Sequence, residues 1–144
     1  MENDPILRIE NIKKAYRARE ILKGISLSIS KGELKVLIGP SGGGKSTLLQ
    51  CINFLVMPDG GDVWLEGRKV NPHRKRELYG YRQQVGMIFQ DFNLFDHLSA
   101  LQNVQIALLR VKGMAKKSAR ERAVAELERV GLGKHIDHYP AQLS

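Results

Sequence analysis

The string Gly39-Pro40-Ser41-Gly42-Gly43-Gly44-Lys45-Ser46 fits the pattern G-x-x-x-x-G-K-[ST] without a mismatch, and it constrains this chain more than any other feature. It follows a short apolar run at residues 34–38 and opens a helix-compatible stretch from Lys45 to about Phe54. A strand, a glycine-rich loop and a helix in that order let successive main-chain N–H groups converge on anionic oxygens. Side chains at Gly42, Gly43 and Gly44 would block that approach or restrict the backbone. The helix starting near Lys45 adds the positive end of its dipole. Lys45 supplies a mobile full charge for β- and γ-phosphates, the Ser46 hydroxyl is positioned to ligate Mg²⁺, and Thr47 can add a phosphate contact. A plain glycine turn would not need the Lys-Ser pair. At average composition such a string arises by chance in about 0.5% of chains this long.

The rest of the chain reads as a small β portion before the loop and a helical portion after it. Residues 6–12 alternate apolar and polar well enough for a strand. Residues 21–29 do so strictly, with Ile21, Lys23, Ile25, Leu27 and Ile29 on one face. Lys23 on that face marks an edge or a twist. Lys31-Gly32-Glu33 then turns the chain into residues 34–38, a buried-type strand. Pro58-Asp59-Gly60-Gly61 is a turn, followed by a strand at 63–65 and a hairpin at Glu66-Gly67 returning through Lys69 and Val70. Residues 71–76 form a polar loop into a short helix, and residues 85–89 are a second apolar strand candidate. Ser99 and Gln102 form a capping box for a helix to about Lys112, broken by Gly113. A further helix is expected from about Ser118 to Val130, with Ala119, Ala123, Leu127 and Val130 on its apolar face and Gly131 as C-cap. No internal repeat or low-complexity segment is evident.

At 144 residues the chain has the length of one domain. No apolar run approaches the roughly 20 residues needed to span a bilayer, and the acidic opening around Glu2 and Asp4 lacks the basic region of a secretory signal. Cys51 is the single cysteine, so no disulfide framework or thiolate metal cluster exists, and it reads as a small buried apolar side chain. The four histidines, His73, His97, His135 and His138, read as surface residues. The net charge of +8 is clumped in residues 68–76 and 112–134; the second clump is interleaved with Glu121, Glu126 and Glu128, as on a solvated helix face.

The same loop string occurs in guanylate-kinase-like proteins, so the flanking residues choose between families. Ile21-Leu22-Lys23-Gly24-Ile25-Ser26-Leu27-Ser28-Ile29 followed by Lys31-Gly32-Glu33 resembles the lead-in of ATP-binding-cassette (ABC) nucleotide-binding domains. Tyr16, 23 residues before Gly39, stands where that family places an aromatic that stacks on adenine. Gln90, 45 residues after Lys45, matches its Q-loop glutamine, which contacts Mg²⁺ and the attacking water. Leu49-Gln50-Cys51-Ile52-Asn53, Phe92-Asn93-Leu94-Phe95, Leu98 and Ala100-Leu101-Gln102-Asn103-Val104 are similar to importers of polar amino acids. Asp91 and Asp96 depart from that subfamily, which often has glutamine and proline there.

The resemblance implies an α/β P-loop NTPase of ABC type: an antiparallel β subdomain, an incomplete RecA-like core and the start of a helical subdomain. The corresponding segments are 5–35 and 60–72, then 34–59 and 80–92, then 97–144. It implies ATP and Mg²⁺ as cofactors and ATP hydrolysis coupled to amino-acid import at the cytoplasmic side of the membrane. Lys45 and Gln90 would be catalytic. Tyr16 and the run Gly39, Pro40, Ser41, Gly42, Gly43, Gly44, Lys45, Ser46 and Thr47 would bind nucleotide, and Ser46 and Gln90 would hold the metal. The implied partners are transmembrane permease subunits, a second nucleotide-binding subunit packed head to tail and, indirectly, a solute-binding protein. Nucleic acid is not expected. A soluble ABC protein acting on nucleic acid or ribosomes and a guanylate-kinase-like kinase are the competing readings. Tyr139-Pro140-Ala141-Gln142-Leu143-Ser144 looks like the approach to the family's LSGGQ signature, so the chain is expected to end inside that motif, short of the Walker B carboxylate and catalytic glutamate. It is then expected to bind Mg-nucleotide weakly and not turn it over. In the resembled fold the strands flanking residues 34–38 come from the part not present, so that run is expected to have an unpaired edge and exposed apolar surface.

Overall fold

The computed structural model describes residues 4–143. Glu2, in the acidic opening, and Ser144, in the expected signature, lie outside them. The chain divides into two compact units, Met1–Met87 and Ile88–Ser144.

In the first unit, β1 (Leu7–Tyr16) and β2 (Arg19–Ile29) form an antiparallel hairpin over a two-residue turn. After α1 (Lys45–Ile52), β3 (Gly60–Leu65) pairs with the other edge of β1, and β4 (Arg68–Lys69) completes the order β2-β1-β3-β4. Glu66 and Gly67 both have positive φ, 48° and 72°, the geometry that lets a two-residue turn follow the twist of its strands. The expected hairpin is therefore present. β2 is an edge strand and its Lys23 is exposed.

The strict alternation expected over residues 21–29 is broken by shifts in the β1–β2 ladder, one of them at Gly24. The ladder pairs Ile12 with Ile25 but Lys13 with Lys23, skipping Gly24, and Asn11 on the facing strand has φ 51°. Such irregularities shift side-chain parity. Leu22, on the face assigned to polar residues, is therefore the buried one at 4% exposure.

Helix α1 and α2 (Lys75–Gln84) bring Leu48, Cys51, Ile52 and Tyr81 to a core shared with Ile9, Ile12, Leu22 and Val63. Full burial of each aliphatic side chain contributes about 1.5–3 kcal/mol. Cys51 is wholly buried, and burial pushes its thiol pKa up, in keeping with an apolar role.

Two expected strands are absent. Residues 34–38 and 85–89 have no ladder partner among the described residues, and neither forms a strand. A lone extended run has no inter-strand hydrogen bonds to hold it. Leu34 and Ile38 are 87% and 91% exposed, so the anticipated bare apolar edge is there without the strand. Val85 instead caps the C-terminus of α2, its N–H donating to the Tyr81 carbonyl.

In the second unit, α3 (Ala100–Arg110) opens on the expected capping box. Gln102 N donates to Ser99 Oγ at 3.4 Å, and Ser99 N donates to Gln102 Oε1 at 2.9 Å. α4 (Lys116–Arg129) buries Ala119, Ala123 and Leu127, while Val130 is exposed just past its last turn and does not join the apolar face. Ala100, Leu101, Ala123 and Leu127 form this unit's core, flanked by Leu132 and Ile136. Short 3₁₀ turns follow at Gly133–His135 and Pro140–Gln142.

Candidate functional site

The first three N–H groups of α1 have no intrahelical acceptor, as in any α-helix. The N-cap residue, Gly44, has no side chain to cap them, and no acidic residue lies in the first turn. Positive backbone charge therefore points outward unopposed, which suits an anion. Gly44 is buried with φ 88°, and a Cβ there would lie 3.0 Å from Ile21 Cγ2 and 3.1 Å from Leu22 Cδ2. Glycine is needed here first because the loop backbone lies against β2. Gly43 N donates to the Pro40 carbonyl at 3.1 Å, closing the loop on itself.

Lys45 Nζ donates to the carbonyls of Gly39 at 2.8 Å and Pro40 at 2.7 Å. The ammonium is thus satisfied by its own loop while its stem remains flexible. Ser41, Gly42, Gly43, Gly44, Lys45, Ser46 and Thr47 line a concavity of about 480 Å³ together with Tyr16 and Ile21. Gly39 and Pro40 do not line it. Two other concavities of the same unit, about 490 and 600 Å³, also carry cationic side chains, but carboxylates stand among them, Asp62 and Glu77 in the first and Glu66 and Glu77 in the second, whereas none lines the loop concavity.

Tyr16, 47% exposed at the end of β1, is held by residues that sequence reasoning missed. Asp59 accepts from Ala15 N and from Lys14 Nζ, both at 2.7 Å, and the Lys14 ammonium lies 5.6 Å from the centre of the Tyr16 ring. The Lys14 hydrogen bond lowers the Asp59 pKa, and the same bond raises that of Lys14. Asp59 looked only like a turn residue, because its partners are 44 and 45 positions away. Ile21, likewise missed, was read only as one member of an apolar stripe.

Amides, an ammonium and hydroxyls fit a polyphosphate, and a flat ring on the same wall fits a base. Among the described residues no group of three or more His, Cys, Asp or Glu side chains converges. A divalent cation at this loop would therefore lean on the Ser46 hydroxyl and on phosphate oxygens, which is how Mg²⁺ is commonly held. Gln90 belongs to the second unit, in a turn where Phe92 and Asn93 have φ 56° and 48°.

This chain belongs to the ABC transporter family, whose model matches residues 22–144. It is 45% identical over 139 residues to the glutamine transport ATP-binding protein GlnQ of Escherichia coli (strain K12), covering 96% of this chain and 58% of that protein. The Bacillus subtilis (strain 168) protein of the same name is 42% identical, with 96% and 57% covered. Among solved structures, a dimeric ATP-binding cassette in a post-hydrolysis state bound to ADP and Pi superposes with a TM-score of 0.83 at 35% identity. That match covers 96% of this chain and 63% of the other. The chain thus spans a little over half the length of the curated relatives it matches. The fold is that of an ABC ATPase cassette, with its antiparallel sheet and accompanying helices.

Proposed function

We propose that this chain supplies the phosphate-loop side of an ATP-binding subunit that couples ATP hydrolysis to the import of an amino acid, of the polar class, across the cytoplasmic membrane. The observation that carries this reading is the shared concavity: Tyr16 and residues 41–47 line one space, and nothing acidic stands in the first turn of α1. Two relatives are named as glutamine transport proteins, which supports the amino-acid class.

In this proposal the adenine stacks on Tyr16, the amides after Gly43 hold the phosphates, and Lys45 swings from the Gly39 and Pro40 carbonyls to neutralise them. The Ser46 hydroxyl would hold Mg²⁺ and Thr47 would add a phosphate contact; Gln90, in the second unit, would by the family resemblance be a Q-loop carboxamide for Mg²⁺ and water. Bound Mg-ATP supplies the phosphoanhydride bond whose cleavage drives transport; the protein's part is positioning and charge neutralisation. Segments 5–35 and 60–72 serve as the β portion, 34–59 and 80–92 as the nucleotide core, and 97–144 as the beginning of the helical portion. The partners are permease subunits, a second nucleotide-binding subunit and, through them, a solute-binding protein. The place of action is the inner face of the membrane, which agrees with the finding that no helix among the described residues is long and apolar enough to cross one. The kinase and nucleic-acid readings find no support in the relatives named above.

Calorimetric titration of the chain with Mg-ATP into the millimolar range tests this. Saturable uptake is expected, weakened about tenfold or more by Lys45→Ala, which removes a charge-assisted contact. No uptake by chain that retains its circular dichroism would overturn the proposal.

A further inference from the structure

We propose that His135 and His138 form a two-imidazole chelate for a transition-metal ion of the Zn²⁺, Ni²⁺ or Cu²⁺ type. Their Nδ1 atoms face each other at 3.2 Å, with ring centroids 4.7 Å apart and planes inclined at 56°. Two neutral imidazoles that aim lone pairs at each other repel, so the contact requires either one proton or one cation between the nitrogens. With metal–nitrogen bonds of about 2.0–2.1 Å, a separation of 3.2 Å subtends roughly 100° at a shared ion, between the octahedral and tetrahedral angles.

The backbone holds this spacing in place. His135 N donates to the Leu132 carbonyl at 2.9 Å and His138 N to the His135 carbonyl at 3.0 Å. The carbonyls of Ile136 and His138 accept from Leu101 N at 2.9 Å and Ala100 N at 2.8 Å, pinning the segment to the start of α3. Leu132 and Ile136 pack on the core of the same unit. These hydrogen bonds fix the main-chain positions from which the two rings project.

The ring of His135 is exposed, leaving room for water to complete the coordination shell. No third carboxylate, thiolate or imidazole joins the pair among the described residues, so the coordination stays open. Neutral imidazole suits Zn²⁺, Ni²⁺ and Cu²⁺, whereas Mg²⁺ prefers oxygen, so this pair would not compete for a cation at the phosphate loop. Cys51 is wholly buried with its thiol pKa pushed up, which removes the thiol as a rival ligand. His97 instead packs edge-on against Phe95, with ring centroids 6.0 Å apart.

The test is titration of the full chain with Zn²⁺ alone, in competition with a chromophoric chelator, alongside ¹⁵N spectra of the imidazoles. One Zn²⁺ per chain is expected, with the Nδ1 resonances of both histidines shifted on binding. His135→Ala and His138→Ala should each weaken uptake about tenfold or more, because each removes half of the protein's ligands, while His73→Ala should leave it unchanged. Both substitutions leave in place the main-chain carbonyls that cap α3. Absence of uptake, or uptake indifferent to both variants with the Nδ1 resonances unmoved, would show that the pair shares only a proton and would overturn the proposal.

Discussion

Tyr81 Oη donates a buried 2.8 Å hydrogen bond to the Ile52 carbonyl, tying α2 to the open end of the phosphate-loop helix. The neighbouring Arg82 continues the cap, its Nε reaching the Asn53 carbonyl at 3.1 Å and Nη2 the Phe54 carbonyl at 2.7 Å. The last carbonyls of a helix have no intrahelical donors, and a cation there also answers the negative end of the dipole. Tyr81→Phe keeps the ring packed edge-on against Phe54 but leaves a buried acceptor unsatisfied. It should lower unfolding free energy by about 1–2 kcal/mol, and Arg82→Ala by about 2 kcal/mol. Urea unfolding followed by circular dichroism measures both. Midpoints unchanged in Arg82→Ala would show that water substitutes for the guanidinium.

A second prediction separates steric from purely conformational cost at two glycines. Gly61 has φ 93°, and a Cβ there would sit 2.4 Å from the Asn11 carbonyl oxygen, a backbone atom that cannot move without opening the pairing of β1 with β3. Gly67 has φ 72° with nothing within 4 Å of its Cβ position. Gly67→Ala should cost about 1–2 kcal/mol, the price of a left-handed alanine. Gly61→Ala should cost more than about 4 kcal/mol or prevent folding, because a main-chain clash adds to that strain. Thermal melts of the two variants decide it, and equal melting temperatures would refute the steric argument.

What was legible in the sequence was local. The Ser99–Gln102 capping box spans four residues and the Glu66-Gly67 turn names its own geometry, and both stand as read; the loop from Gly39 to Ser46 is contiguous, so its residue types can be taken from the string alone. What was illegible depends on residues far apart in the chain. The parity change that buries Leu22 needs the pairing of Ile12 with Ile25 and of Lys13 with Lys23, which no alternation pattern records. Tyr81 and Ile52 are 29 positions apart, and Asp59 and Lys14 are 45 apart. Residues 34–38 read as a strand from apolar content, yet a strand exists only with a neighbour to bond. His135 and His138 read as ordinary surface side chains, because spacing alone cannot say that a 3₁₀ turn points two nitrogens at one another.

Tyr16 gives a prediction about the nucleotide. If the ring stacks on the base, Tyr16→Ala should weaken Mg-ATP binding by about 1–3 kcal/mol, whereas Tyr16→Phe should bind nearly as the parent does. Inorganic triphosphate, which has no base, should bind both variants and the parent alike. Calorimetry with the two ligands reads the difference. A Tyr16→Ala variant that loses affinity for ATP and triphosphate equally would mean that the ring supports the loop and does not contact the base.

The Lys14–Asp59 pair sets the acid and alkaline limits of the wall that carries Tyr16. Asp59 accepts from the Lys14 ammonium and the Ala15 amide, and both hold its pKa below the ordinary carboxylate value; Lys14 is raised in return. A depressed carboxylate contributes stability that is present above its unfolded pKa of about 3.9 and is lost as pH falls through the folded value. A raised ammonium contributes stability that is present below about 10.4 and is lost as pH rises through its folded value. Glu33, lowered by hydrogen bonds from Ser30 N and Lys35, adds to the acid limb, so Asp59→Asn should remove only part of that limb. Urea midpoints of the parent should hold level between about pH 5 and 8 and fall below about pH 4. Asp59→Asn should start lower at neutral pH, fall less steeply, and approach the parent in acid as the native carboxylate takes up its proton. Because the Asp59 side chain is about half exposed, molar salt should narrow the gap at neutral pH in part. Parallel curves with a constant offset down to pH 2 would show that the loss comes from the Ala15 hydrogen bond and packing, with no contribution from the charge.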